Sequence, residues 1–299
     1  MKLHLAILFL CQVALSQAAE PVPLRAELAA TLQDRRIQES SGLARSLRHA
    51  DVFWTLNDSG NDPCLFAIDK TGKTRAKVRL PDAVNFDWED IASARNADGT
   101  PSLYIADIGD NLHVRASITV YELPEPDLPA NPDKEVRSAH PLLWQARYPA
   151  GRPDAETLLV HPKTRQMFIV TKDPEGHSIV YAFPTTQPSV SGKPLVLEKV
   201  TALEFPVRAR EGKRPHHACM TTAGDISPDG NRLIIATYSY LHEWTWAPGQ
   251  PLAEALAKPA RLLLPPITAQ MEGVCYDADS SNLWFTSERL PTPLYQVRR

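Results

Sequence analysis

After Leu15 this chain has no apolar run approaching the about 20 residues a membrane-spanning helix needs, and no Gly/Ser-rich or low-complexity linker divides it. A membrane span and an arrangement of tethered domains are both excluded. Basic residues are in the minority, 32 Lys and Arg against 35 Asp and Glu, for a formal charge of −3. Nucleic acid is therefore not the expected partner, since phosphate backbones require a net basic face. The four cysteines match no CxxC zinc pattern. There is no Gly-x-Ser-x-Gly elbow, no Walker loop and no dinucleotide-binding glycine pattern. Ser40, Ser41 or Ser59 would serve as nucleophiles only if His216 or His217 reached them.

What is present begins with Lys2, an apolar stretch from Leu3 to Leu15 and the small-residue site Ser16-Gln17-Ala18. This reads as a cleaved secretory leader over residues 1–18, leaving residues 19–299 as one domain, periplasmic or secreted. Cys11 falls in the leader without the small residues of a lipoprotein signal. Cys64, Cys219 and Cys275 remain, and one of them must stay unpaired in a monomer. Cys219 and Cys275 lie beside neighbouring repeat entries and are the expected pair.

The dominant signal is a degenerate repeat met five times. Its entries are Glu39-Ser-Ser-Gly-Leu43, Asp87-Trp-Glu-Asp-Ile91, Asp154-Ala-Glu-Thr-Leu158, Thr222-Ala-Gly-Asp-Ile226 and Gln270-Met-Glu-Gly-Val274. Each is followed by a second apolar strand ending at Asn57, Asp107, Thr171, Thr237 or Ser287, and then by a third. Ser41, Glu89, Glu156, Gly224 and Glu272 align as equivalents. A β-rich repeat of this period predicts a β-propeller, with five blades favoured and six as the alternative. Fourth, outer strands are expected at 75–80, 142–148, 195–205 and 260–264. The last unit lacks one, and residues 24–32 are expected to supply it and close the ring, since an open sheet edge invites aggregation. The 27 prolines fall between proposed strands, and a single helical turn is expected near 252–257.

In a blade, the start of the first strand and the end of the second share one face. The entry acids and the loops after Asn57 and Asp107 therefore converge there. The turns at Asn96–Gly99, Ser227–Gly230 and Asp279–Asn282 fall on the opposite face and read as plain hairpin chemistry. Strand alternation points Asp87 with Glu89, Asp154 with Glu156 and Glu39 with Ser41. With Glu272 these form a ring of carboxylates round the channel mouth. Such a ring calls for a cation, and calcium, which takes six to eight oxygen ligands in flexible geometry, is the natural one. The expected metal set is Glu39, Asn57, Asp58, Asp87, Asp107, Asp110, Asn111, Glu156 and Glu272. The loops 57–62 and 107–111 do not have EF-hand spacing. Arg115, Lys172 and Arg289, joined by His216 and His217, face the ring as anion holders, with Glu89 as general base. The alternative is that the entry acids only accept backbone hydrogen bonds from the next blade. His113, His140 and His161 read as solvated loop residues, and Trp54, Trp144 and Trp284 as core; Trp88 should point away from the channel.

The strings Glu39-Ser-Ser-Gly-Leu-Ala44, Asn57-Asp-Ser-Gly60, Asp87-Trp-Glu-Asp-Ile-Ala92 and Ile105-Ala-Asp-Ile-Gly-Asp-Asn111 resemble those of an uncharacterised family of exported bacterial propellers. More distantly, Glu272-Gly273 and the acidic channel are similar to gluconolactonase and regucalcin-type propellers and to calcium-dependent propeller phytases. The resemblance implies a divalent metal at the channel mouth and hydrolysis of lactone, ester or phosphoester bonds. The expected ligand is a small anionic or polyhydroxylated molecule. The rival function is a non-catalytic module that binds a glycan, a peptide or an envelope protein.

Overall fold

The computed structural model describes residues 20–188, 192–208, 210 and 212–298; the leader expected over 1–18 lies outside the described residues. Five antiparallel sheets form a ring. The first blade runs outward through Ser40–Arg45, Val52–Asn57, Cys64–Asp69 and Thr74–Arg79. The second runs through Trp88–Arg95, Pro101–Asp107, Ile118–Pro124 and Leu142–Arg147, and the third through Ala155–Val160, Met167–Thr171, His177–Ala182 and Glu198–Glu204. The fourth comprises Thr221–Ile226, Arg232–Thr237, Leu241–Thr245 and Arg261–Leu264. The fifth comprises Met271–Tyr276, Asn282–Ser287 and Pro293–Arg298, and its outer strand is Ala26–Thr31 from the start of the chain. The five-bladed propeller closed by its N-terminal strand is therefore the fold, and the six-bladed alternative falls away. Among the described residues the one α-helix is Leu252–Leu256, and no helix is long and apolar enough to cross a membrane.

The innermost strands are buried along almost their whole length because they lie between neighbours on both sides of the ring. Sheets therefore pack face to face, and a separate apolar cluster fills each junction. Trp54 and Trp88 fill the space between the first two blades, Trp144 and Phe183 the next, and Phe168 and Trp244 the third. Tyr276 and Phe285 occupy the fourth junction. The last is filled by Phe53 from the first blade against Trp284 from the fifth, ring centroids 4.9 Å apart. Trp88 does point away from the channel, its Nε1 donating to the Val84 carbonyl at 3.0 Å. Exposed outer edges are shortened in three blades by two-residue parallel strands, Val22–Pro23, Val136–Arg137 and Leu195–Val196, which cover ladder groups that would otherwise recruit another chain.

Two expectations about single residues change. Cys64, Cys219 and Cys275 are all free and buried. Cys219 lies against the Pro174 carbonyl while Cys275 sits in the junction core with Cys64 and Trp284, so the expected Cys219–Cys275 pair does not form. His161 is a buried residue, not a solvated one: its ring packs edge-on against Trp246 at 4.8 Å.

Candidate functional site

A local irregularity positions the mouth acids. In four blades the pairing of first and second strands skips one residue, at Glu89, Glu156, Thr222 and Glu272. A bulge of this kind leaves the extra residue out of the ladder and re-aims its side chain. The first blade is irregular between Ser41 and Ala44 instead. The ring of equivalent second positions is therefore Ser41, Glu89, Glu156, Thr222 and Glu272. Gly224, aligned from sequence with the acids, lies two residues deeper, where a Cβ would press on Thr157 and Leu159.

A second ring comes from the residue that follows each second strand: Asp58, Ile108, Lys172, Tyr238 and Glu288. Each donates its amide to the carbonyl just before the first strand of its own blade, on Glu39, Asp87, Asp154, Met220 and Gln270 respectively. One backbone bridge, used five times, thus holds these residues at the channel rim, with Ile108 turned into the core between the second and third blades. Tyr238 and Glu288 were not singled out from sequence. The position directly after the second strand was the signal that would have found them.

Glu89 of the first ring and Asp58 of the second come together beside Asp87, and the three offer carboxylate oxygens all within 4.8 Å of one another. Among the described residues, no donor reaches the carboxyl groups of Asp87 or Glu89, and that of Asp58 accepts only its neighbour Ser59. Gly109 is glycine for a steric reason, since a Cβ there would collide with both Asp87 and Glu89. Burial and then the neighbouring carboxylates push Asp87 up to about 6. The same causes raise Asp58, and raise Glu89 well above the usual carboxylate range. Glu272 is pushed to about 8 and Glu288 to about 7, in each case first by burial and then by neighbouring acids. Gln270 spans this pair, its Nε2 donating to Glu288 at 2.8 Å and to Glu272 at 3.3 Å.

A cation, Lys172, also stands inside the ring. Lys172 pairs with Glu156 Oε1 and donates to the Tyr238 hydroxyl at 3.0 Å. Glu156 Oε2 and the Thr222 hydroxyl are buried with no hydrogen-bond partner among the described residues. Buried polar atoms are normally satisfied, and these two oxygens sit at the bulged position of the third and fourth blades. Carboxylates, a hydroxyl and a cradle free of Cβ atoms make up the hard oxygen donor set that suits calcium.

The remaining expected residues are elsewhere engaged. Asn57 Oδ1 accepts the amides of Gln38 and Glu39, and its Nδ2 donates to the Arg36 carbonyl at 2.7 Å. Asp107 pairs with Arg115 at 2.7 Å, and Arg115 also donates to the carbonyls of Gly109 and Asp107. Asp110 accepts the amides of Val114 and Arg115, both at 2.8 Å, and so ties its own loop. Glu39 is exposed and accepts from Asn61 at 2.8 Å, and Asn111 is exposed. Arg289, also exposed, donates to Gln270 Oε1 at 3.0 Å.

No protein-family profile matches the chain, and no curated protein matches it. Among solved structures it is similar to the β-propeller domain of Cps50 (Swd1) from Myceliophteria thermophila, with 13% sequence identity and a TM-score of 0.39. That match covers 88% of this chain and 65% of the other, less than two thirds of its length.

Proposed function

We propose that the channel mouth binds a divalent cation of the calcium type and hydrolyses an ester, lactone or phosphoester bond there. The observation that carries this reading is the convergence of Asp58, Asp87 and Glu89 within 4.8 Å, with no donor but the Ser59 amide on Asp58. Three like charges so placed repel strongly unless a cation or protons offset them. Glu156, Thr222 and Glu272 would complete the oxygen set. When bound, the cation would supply Lewis acidity to the substrate oxygen and acidify water.

The chain's own groups take the other roles. Lys172 faces the ring as an anion holder, and Tyr238, whose oxygen accepts from Lys172, keeps its hydroxyl proton for a substrate oxygen. Burial and the surrounding acids hold that phenol protonated. Glu89 belongs to the cation set in this scheme, so the base falls to Glu288, which is only partly buried and reachable by water. Arg115 is committed to Asp107 and serves to shape the site. An exported location suits such a site, because extracellular calcium modules work at about 10⁻⁴–10⁻³ M.

A binding module is the second reading. It is favoured by Val84, Phe86, Leu112 and Val114, exposed apolar side chains on the loops of the same face. Purified protein assayed against aryl-ester, lactone and phosphoester substrates, with calcium and with chelator, separates the two. Chelator-sensitive turnover lost in Glu89→Gln with the fold intact is the expected result. Calcium binding with no turnover on any of the three classes would overturn the hydrolase and leave the module.

A further inference from the structure

Beside the acidic mouth lies a cleft of about 440 Å³ lined by Lys213, Arg214, His216, His217, Tyr238 and Arg289. We infer that this cleft is the subsite for the dianionic phosphoryl group of a small phosphomonoester. The inference rests on the cation reading above and narrows its substrate class.

The charge count decides the ligand. Lys213, Arg214 and Arg289 are three basic side chains on one cleft, more than a carboxylate or a neutral lactone needs. Phosphate, with several acceptor oxygens and up to two charges, matches guanidinium forks best. The donors are available. Arg214 is exposed and makes no side-chain hydrogen bond or ion pair among the described residues. Arg289 uses one guanidinium N–H on Gln270 and keeps the rest of its fork. Lys213 gives one N–H to the Ala269 carbonyl at 2.5 Å and keeps two more. His217 Nδ1, on the wall of this cleft, is buried without a partner among the described residues. The volume fits a small molecule.

Two side chains join the cleft to the mouth. The Tyr238 ring packs against His217 with centroids 4.9 Å apart, while its hydroxyl meets Lys172. Gln270 takes Arg289 on its oxygen and gives its amide to Glu272 and Glu288. A phosphoryl group in the cleft would therefore lie one side chain from the carboxylates. Those acids repel it until a cation is bound. Calcium and phosphate should then strengthen each other's binding by the same factor, as linkage requires.

The test is titration calorimetry with inorganic phosphate, phenyl phosphate and dimethyl phosphate, each with and without calcium, and with calcium alone. Inorganic phosphate and phenyl phosphate should bind, about tenfold more tightly with calcium, while the singly charged diester should not. Arg214→Ala, at an exposed side chain with no protein partner, should weaken phosphate at least about tenfold and leave calcium affinity unchanged. Normal calcium binding with no phosphate binding overturns the phosphoryl subsite and leaves the cation reading standing. Phosphate binding unaffected by Arg214→Ala overturns its placement, and preference for the diester overturns its class. Phosphate binding without any calcium binding keeps the subsite and defeats the cation reading.

Discussion

Two sets of carboxylates lie within a few residues of each other and have opposite surroundings. Asp90 and Asp225 are buried in the body of the ring. Asp90 takes the amides of Ile91, Leu158 and Gly224, reaching the third and fourth blades from the second. Asp225 takes those of Ile226 and Tyr276, both at 2.8 Å, with Arg45 at 3.8 Å. Asp58, Asp87 and Glu89 share a mouth and have almost no donors. The entry motif therefore contains both kinds of acid, one tying blades together and one left open. Adjacent letters, Glu89 and Asp90, belong to different sets because the bulge sends one to the channel and keeps the other on the ladder.

The largest effect expected is from Asp90→Ala. It strands two amides of other blades in a buried setting, at about 1–3 kcal/mol each, so urea denaturation should show a loss of about 3 kcal/mol or more that calcium does not repair. Asp87→Asn should behave in the opposite sense. It should be neutral or slightly stabilising in chelator, and it should remove the gain from calcium. Equal destabilisation by the two variants would break the distinction.

A middle-sized effect is expected from calcium itself. A ligand at about 100 times its Kd adds about 2.7 kcal/mol to native stability, and the melting temperature of the wild type should rise accordingly. Glu89→Gln should lose most of that rise. A melting temperature indifferent to millimolar calcium would place both sets of acids in the structural class.

The smallest effect is on pH dependence in chelator. Asp87, Glu288 and Glu272 have folded values of about 6, 7 and 8, each above its ordinary value. Between pH 4.5 and 8 the unfolded chain holds fewer protons at these groups than the folded one. Their contribution to stability is therefore full below the ordinary carboxylate range and is lost as pH rises through the folded values. Melting temperature should fall across this window, less steeply in Glu272→Gln, and calcium should flatten the slope by replacing the protons. A melting temperature flat across this window in chelator would show that these acids ionise freely.

The blade plan was legible in the sequence because each strand had to be both apolar and short, and each turn kept its own chemistry. Even the closing strand could be read from the missing fourth strand of the last unit. The site was only half legible. Glu89, Glu156 and Glu272 stood out as acids in apolar entries, but Thr222 did not, since Ala223-Gly224-Asp225 imitates the Glu-Gly pattern two residues late. Asp107 and Arg115 looked like two site residues and are one ion pair, a fact of loop geometry rather than of spacing. The Cys219–Cys275 pair failed for a similar reason: neighbouring repeats are close as blades, while their cysteines face different junctions.

The fifth blade is woven from segments far apart in sequence, Ala26–Thr31 on Pro293–Arg298, with Glu27 and Arg298 joined at 3.1 Å. It also carries Glu272 and Glu288. While the chain is being made, strand Ala26–Thr31 must wait unpaired until Pro293–Arg298 exists. A variant without Ala26–Thr31 keeps every acid of the mouth in its sequence yet leaves open the edge of the blade that sets Glu272 and Glu288 opposite Asp58, Asp87 and Glu89. An intact mouth therefore depends on the ring being closed at the fifth blade.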